Sequence, residues 1–240
     1  MTTSVDEEWE KFCEDEEGFI PENNVVLKSD QQEIPKCGSI YISTKTKIAY
    51  LDTKIPLQEI FWKIPVLKYY LPKEGVIKKQ IKINSDTPLQ VEEVEKKLKD
   101  LENCNVDIIS QINNPNARKI KYKDVRKINV GISKKDLTTY RKKKRGAFYN
   151  CFVVILRLKY KEKFKEIHVK VFNTGKLEIP GIQHDDLLIL TLEKLVNLLN
   201  PYFPNKINYN KDDIQTVLIN SNLDCELEKV REKFYNILKY

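Results

Sequence analysis

Residues 148–181 read FYNCFVVILRLKYKEKFKEIHVKVFNTGKLEIPG. Apolar and polar side chains alternate along them with the period of two that marks a strand. Phe152, Val154, Leu156, Leu158 and Tyr160 share one face of a first strand, and Cys151, Val153, Ile155, Arg157 and Lys159 share the other. After a turn at 161–165, Ile167, Val169 and Val171 return on the apolar side, with Glu166, His168, Lys170 and Phe172 opposite. Asn173-Thr174-Gly175-Lys176 is a tight turn in which Gly175 supplies positive φ. Leu177 and Ile179 then rejoin the apolar face, leaving Glu178 and Pro180 opposite.

A leucine-rich helix follows, with Leu188, Leu192, Leu195, Val196 and Leu199 in a stripe at helical spacing and Asp185 or Asp186 as its cap. That stripe has one place to be buried, the apolar face of the three strands. Their other face is then left open. A solvated face is ordinary for an antiparallel sheet. One that combines Val153, Ile155 and Phe172 with Arg157, Lys159 and Lys170 suggests a binding surface.

Upstream, residues 40–51 alternate as a strand, with Ile40, Ile42, Thr44, Thr46, Ile48 and Tyr50 on one face. Pro56 then opens a helix striped by Leu57, Ile60, Phe61 and Ile64. Ser85-Asp86-Thr87-Pro88 is a helix entry, and Val91, Val94, Leu98 and Leu101 stripe the helix that follows. We read residues 73–147 as a basic insertion with a small structure of its own. Downstream, 214–220 is a strand and 227–240 a helix, which repeats the strand–helix order of 40–64. The expected organisation is an acidic tail at 1–36, a first unit at 37–205 and the beginning of a second, truncated unit at 206–240.

The 240 residues are 41% hydrophobic and carry a formal charge of +7, so the chain is globular, and its charge is unevenly spread. Residues 1–30 hold ten Asp/Glu against two Lys, a net of −8. Residues 118–145 hold thirteen Lys/Arg against two Asp, a net of +11, and end in Arg141, Lys142, Lys143, Lys144 and Arg145. Such a block fits an anionic partner, most simply nucleic acid, or a solvated surface loop.

The five cysteines have no C-x-x-C spacing and there are two histidines, which excludes the common zinc patterns and suits a reducing compartment. No apolar run approaches the length of a membrane span. There is no phosphate-binding G-x-x-x-x-G-K and no nucleophile elbow. His168 reads as a strand surface residue, and His184 as part of a helix start. We therefore expect no enzyme, no catalytic or metal-binding residues and no cofactor.

The order of strand, helix, three or four antiparallel strands and long helix resembles the half-repeat of the TATA-box-binding protein (TBP) family. Two stretches carry the local match. Val154-Ile155-Leu156-Arg157-Leu158-Lys159 is similar to that family's second strand. Val171-Phe172-Asn173-Thr174-Gly175-Lys176-Leu177-Glu178-Ile179-Pro180-Gly181 is similar to its F-S-S-G-K-x-x-x-T-G hairpin. The TBP-like proteins of large nucleocytoplasmic DNA viruses resemble the chain more closely still. The likeness is good over 148–199 and loose over 38–240.

It implies an α+β saddle half-repeat, an antiparallel sheet with helices on one face, plus the start of a second repeat. It also implies a transcription initiation factor that meets AT-rich promoter DNA in the minor groove. RNA polymerase or general transcription factors would be its partners. The setting would be a host nucleus, a viral factory or a virion, without a membrane. Phe172 takes the place of a wedge residue that unstacks a base step. Arg157, Lys159 and Lys170, with the run Arg141–Arg145, would reach phosphates, and Val153 and Ile155 would line the groove. The departures are as specific as the match. The first wedge position falls on Cys151, with Phe148 or Tyr149 as substitutes if the strand shifts. A groove-facing valine falls on Glu178, a threonine on Pro180 and a base-reading asparagine on Tyr50. These departures favour an alternative, a protein-interaction module on the same fold that recruits the transcription machinery without bending DNA.

Overall fold

The computed structural model describes residues 38–138 and 148–223, with 235, 238 and 239 besides. The two main stretches lie in one compact unit, Gly38–Asp224. The expected acidic tail, most of the last helix and the run 141–145 lie outside the described residues.

The unit is α+β. Its strands are β1 (Tyr41–Tyr50), β2 (Gly75–Ser85), β3 (Cys104–Asn113), β4 (Tyr122–Gly131), β5 (Cys151–Tyr160), β6 (Lys163–Phe172), β7 (Lys176–Ile182) and β8 (Gln215–Asn222). Its helices are α1 (Leu57–Lys63), α2 (Pro88–Lys99), α3 (Lys134–Thr138) and α4 (Asp185–Leu199). All eight strands form one antiparallel sheet in the order β3-β4-β2-β5-β6-β7-β1-β8.

The meander β5–β6–β7 follows the alternation of its sequence. Phe152, Val154, Leu156 and Leu158 are buried on one face with Val169, Val171, Leu177 and Ile179. Leu188, Leu192, Leu195 and Leu199 of α4 close over that face, as does α1, whose Phe61 ring meets Phe152 at a centroid distance of 6.4 Å. Burying these side chains contributes roughly 1.5–3 kcal/mol each and is the main force holding helix to sheet. Gly175 has φ +87°, and its N–H donates to Phe172 O at 3.0 Å. A Cβ there would collide with the carbonyl oxygens of Leu51 and Thr53, so the turn needs glycine for space as well as for φ.

Three details depart from the expectation. Neither aspartate caps α4: His184 is the N-cap residue and makes no side-chain cap bond. Asp186 instead accepts Tyr160 OH at 2.8 and 3.0 Å and the Leu187 N–H at 2.9 Å. Next, the segment 73–147 is not a separate lobe, because β2 pairs with β5 and β4 with β2, so its strands widen the sheet. Lastly, helices are not confined to one face. α1, α2 and α4 cover the apolar side, whereas α3 lies on the opposite side, tied to residues of β2 and β6 there.

One core position of β2 is a lysine. Lys79 is 1% exposed, and its Nζ donates to Phe61 O and Ile64 O at 2.7 Å each. It closes the C-terminal carbonyls of α1, which would otherwise be left unpaired. Burial pushes its pKa down to about 8.

Candidate nucleic-acid interface

Strand register brings one line of side chains across the face opposite the core. Asn105, Asn129, Gln80, Val153, Lys170, Glu178, Ile48 and Gln215 are successive cross-strand partners, one from each strand in sheet order. Beside this line run the pairs Cys151–Phe172 and Lys82–Lys127. On its other side run Lys78–Ile155–His168 and then Arg157–Glu166. These short rows divide the face into two parts.

The part around Arg157 is occupied. α3 and the residues just before it are fastened there by Lys78 Nζ to Asp136 Oδ1 at 2.6 Å and by the Lys134 N–H to Glu166 Oε2 at 3.0 Å. Asp136 also accepts Ser133 N–H and Oγ–H at 2.8 and 2.6 Å, so one carboxylate holds both the strap and the sheet. Hydrogen bonds from Lys78 and Ser133 hold the Asp136 pKa below its ordinary value, against the opposing effect of burial. Ile155 is 5% exposed and Arg157 is 7% exposed. The Arg157 guanidinium donates to Tyr69 O at 2.9 Å and Leu71 O at 2.8 Å and stacks on the Tyr69 ring. Burial, with Lys135 and Lys78 nearby, pushes the His168 pKa down.

The part around Phe172 stays accessible. Phe172 is half-buried opposite Cys151, with Lys176 Nζ 5.8 Å from its ring centroid. Phe148 and Tyr149, just before β5, are 61% and 54% exposed. Lys170 Nζ lies 5.7 Å from the Phe148 ring, and Lys82 Nζ lies 3.7 Å from the Tyr149 ring. Three rings thus alternate with three ammonium groups. Flat rings accept stacked bases and lysines accept phosphates, which is the chemistry of a nucleic-acid surface.

The site residues expected from sequence therefore separate. Phe172, Lys170 and Val153 lie together in the accessible part. Lys170 already pairs with Glu178 at 2.5 Å, so the carboxylate expected to face phosphate is met by an ammonium. Arg157 and Ile155 lie in the occupied part. Lys159 is exposed at the strand end, its N–H donating to Glu74 Oε1 at 2.8 Å. Arg141, Lys142, Lys143, Lys144 and Arg145 lie outside the described residues.

Phe148 and Tyr149 reach the face without any strand shift, because β5 and β6 pair in unbroken register from Cys151 to Tyr160. Sequence reading passed over Lys82, Gln80 and the amides Asn129 and Asn105. For Lys82 and Gln80 the signal was the alternation of β2, K-K-Q-I-K-I-N, masked by Lys79 at a core position. The described residues include no cluster of His, Cys, Asp or Glu able to hold a metal ion, and no helix long and apolar enough to cross a membrane. Set against protein-family models, curated proteins and solved structures, the chain matches none.

Proposed function

We propose that this chain is a DNA-binding, TBP-like transcription initiation factor that lays the accessible part of its open sheet face against the minor groove. The observation that carries the reading is the sheet order. β2-β5-β6-β7-β1 is one strand–helix–meander unit folded on itself, and β8 lies beside β1 in antiparallel sense. An antiparallel pair of equivalent strands has a local two-fold axis between its members. On this reading β8 corresponds to the first strand of a second, symmetry-related unit of a saddle. Chemistry supports the same reading. Phe148, Tyr149 and Phe172 are rings that can enter or cap base steps, and Lys82, Lys170 and Lys176 stand beside them. The amides of Gln80, Asn129 and Gln215 suit the acceptor-rich floor of an A·T minor groove.

A fluorescence-anisotropy titration of the full chain against AT-rich and GC-rich duplexes, at several salt concentrations, tests this. Binding that weakens linearly with log salt and favours the AT-rich duplex is expected. Absence of binding at low salt rejects it. Donor and acceptor dyes at the duplex ends report bending in the same samples.

The alternative, a protein-interaction module on this fold that recruits transcription machinery without bending DNA, is favoured by one observation. Arg157 and Lys170, two of the cations expected to hold phosphates, are engaged within the protein. On that reading Phe172→Ala leaves DNA behaviour unchanged and weakens capture of an RNA polymerase or transcription-factor partner.

A further inference from the structure

β8 forms one edge of the sheet, and among the described residues no strand lies beyond it. Every one of its residues is exposed, with Val217 at 52%, Leu218 at 49% and Ile219 at 55%. The stretch 215–223, QTVLINSNL, contains no Lys, Arg, Asp, Glu or Pro, in a chain that is 32% charged. Edge strands are normally guarded by charge, proline or a bulge, since their free N–H and C=O groups will pair with any extended chain. The opposite edge, β3, keeps such guards: Asp107 lies within it, and its register is irregular between Ile108 and Ser110. β8 has no charge or proline; what it keeps of these guards is the irregular register of its ladder with β1, between Ile42 and Thr44 and between Thr46 and Lys47.

We propose that β8 is a self-association edge that pairs antiparallel with β8 of a second copy of this chain, joining two sheets across a two-fold axis at Leu218. The sequence of the strand selects both partner and register. With Leu218 opposite its own copy, Val217 faces Ile219, Thr216 faces Asn220 and Gln215 faces Ser221. Apolar meets apolar, hydroxyl meets amide, and no pair sets like charges together. A slip of one residue either way puts polar groups opposite apolar ones. An isologous contact of this kind closes at two copies. This inference stands independently of the nucleic-acid reading and holds or fails whether or not the face binds DNA.

The area is modest. Eight residues a side fall at the small end of specific interfaces, so the pairing is expected to be reversible over about 1–200 µM. Sedimentation velocity of the full chain across that range should reveal a monomer–dimer equilibrium. Leu218→Lys, at a solvent-exposed site, should weaken it at least tenfold, since the two-fold sets two ammonium groups against each other. Leu218→Cys should give a disulfide-linked dimer on mild oxidation, above any background in the parent protein. Gln215→Cys should not, because its copy is six residues away along the strand, roughly 20 Å. A monomer at every concentration, as when another strand already covers the edge, overturns the proposal. So does a dimer that survives Leu218→Lys, a Leu218→Cys protein that does not cross-link, or a series of growing oligomers, which would pair β8 with β3 instead.

Discussion

The two parts of the open face are built from the same strands yet differ in what their polar groups are doing. Around Arg157, guanidinium, ammonium and carboxylate groups are consumed by the protein itself, through the 69–71 loop and the strap that ends in α3. Around Phe172, three rings stand beside lysines, of which Lys170 is also paired with Glu178. A side chain's face in the pleat fixes its direction, whereas availability depends on what later segments do with that face. Arg157 and Lys170 are both open-face cations by alternation. Arg157 is spent on the carbonyls of the 69–71 loop, whereas Lys170 pairs with a neighbouring carboxylate on the part of the face that stays accessible.

The largest effect expected from this division is Arg157→Ala. It leaves two carbonyls without their charged donor and should lower stability by about 3 kcal/mol, seen as a shift in urea midpoint. DNA affinity of the remaining folded protein should not change. Loss of affinity at unchanged stability would reverse the assignment of the two parts. Next in size, Tyr149→Ala and Phe172→Ala should each weaken duplex or single-strand binding by about 1–3 kcal/mol in anisotropy titrations. Neither should cost as much stability as the arginine.

Asp136→Asn sharpens the contrast from the other side. It loosens the strap, should cost about 1 kcal/mol in denaturation, and should raise DNA affinity if the strap limits the area offered. The smallest effect concerns pH. His168, its pKa depressed first by burial and then by Lys135 and Lys78, is held neutral in the fold, against the ordinary value of 6.5. The unfolded chain then binds the proton more readily. Its contribution is fully present above about pH 6.5 and is lost as pH falls from there through the lower folded pKa. His168→Gln should flatten that part of a stability–pH profile.

Much of this could be read from the residues alone. The β5–β7 meander, the glycine turn, α1, α4 and β8 follow from periodicity and turn chemistry, and the helix entry at Thr87 is real: its side chain accepts the Gln90 N–H. β4 was hidden in what looked like a basic block. Its core-facing positions include Asp124 and Arg126, which pair at 2.7 Å while Arg126 also reaches Glu95 at 2.7 Å. A buried ion pair erases the apolar alternation that announces a strand. β2 was obscured similarly by Lys79 at an apolar position, and α3 is too short for any period to register. The surface cations and rings of the candidate site were visible as residue types. Their sorting into engaged and available depended on contacts distant in sequence.

The strap has one more consequence. The Ser133 N–H is held by Asp136 and the Lys134 N–H by Glu166, so both amides should exchange with solvent more slowly than those of an isolated five-residue helix, and hydrogen exchange would read the strap's opening separately from that of the sheet.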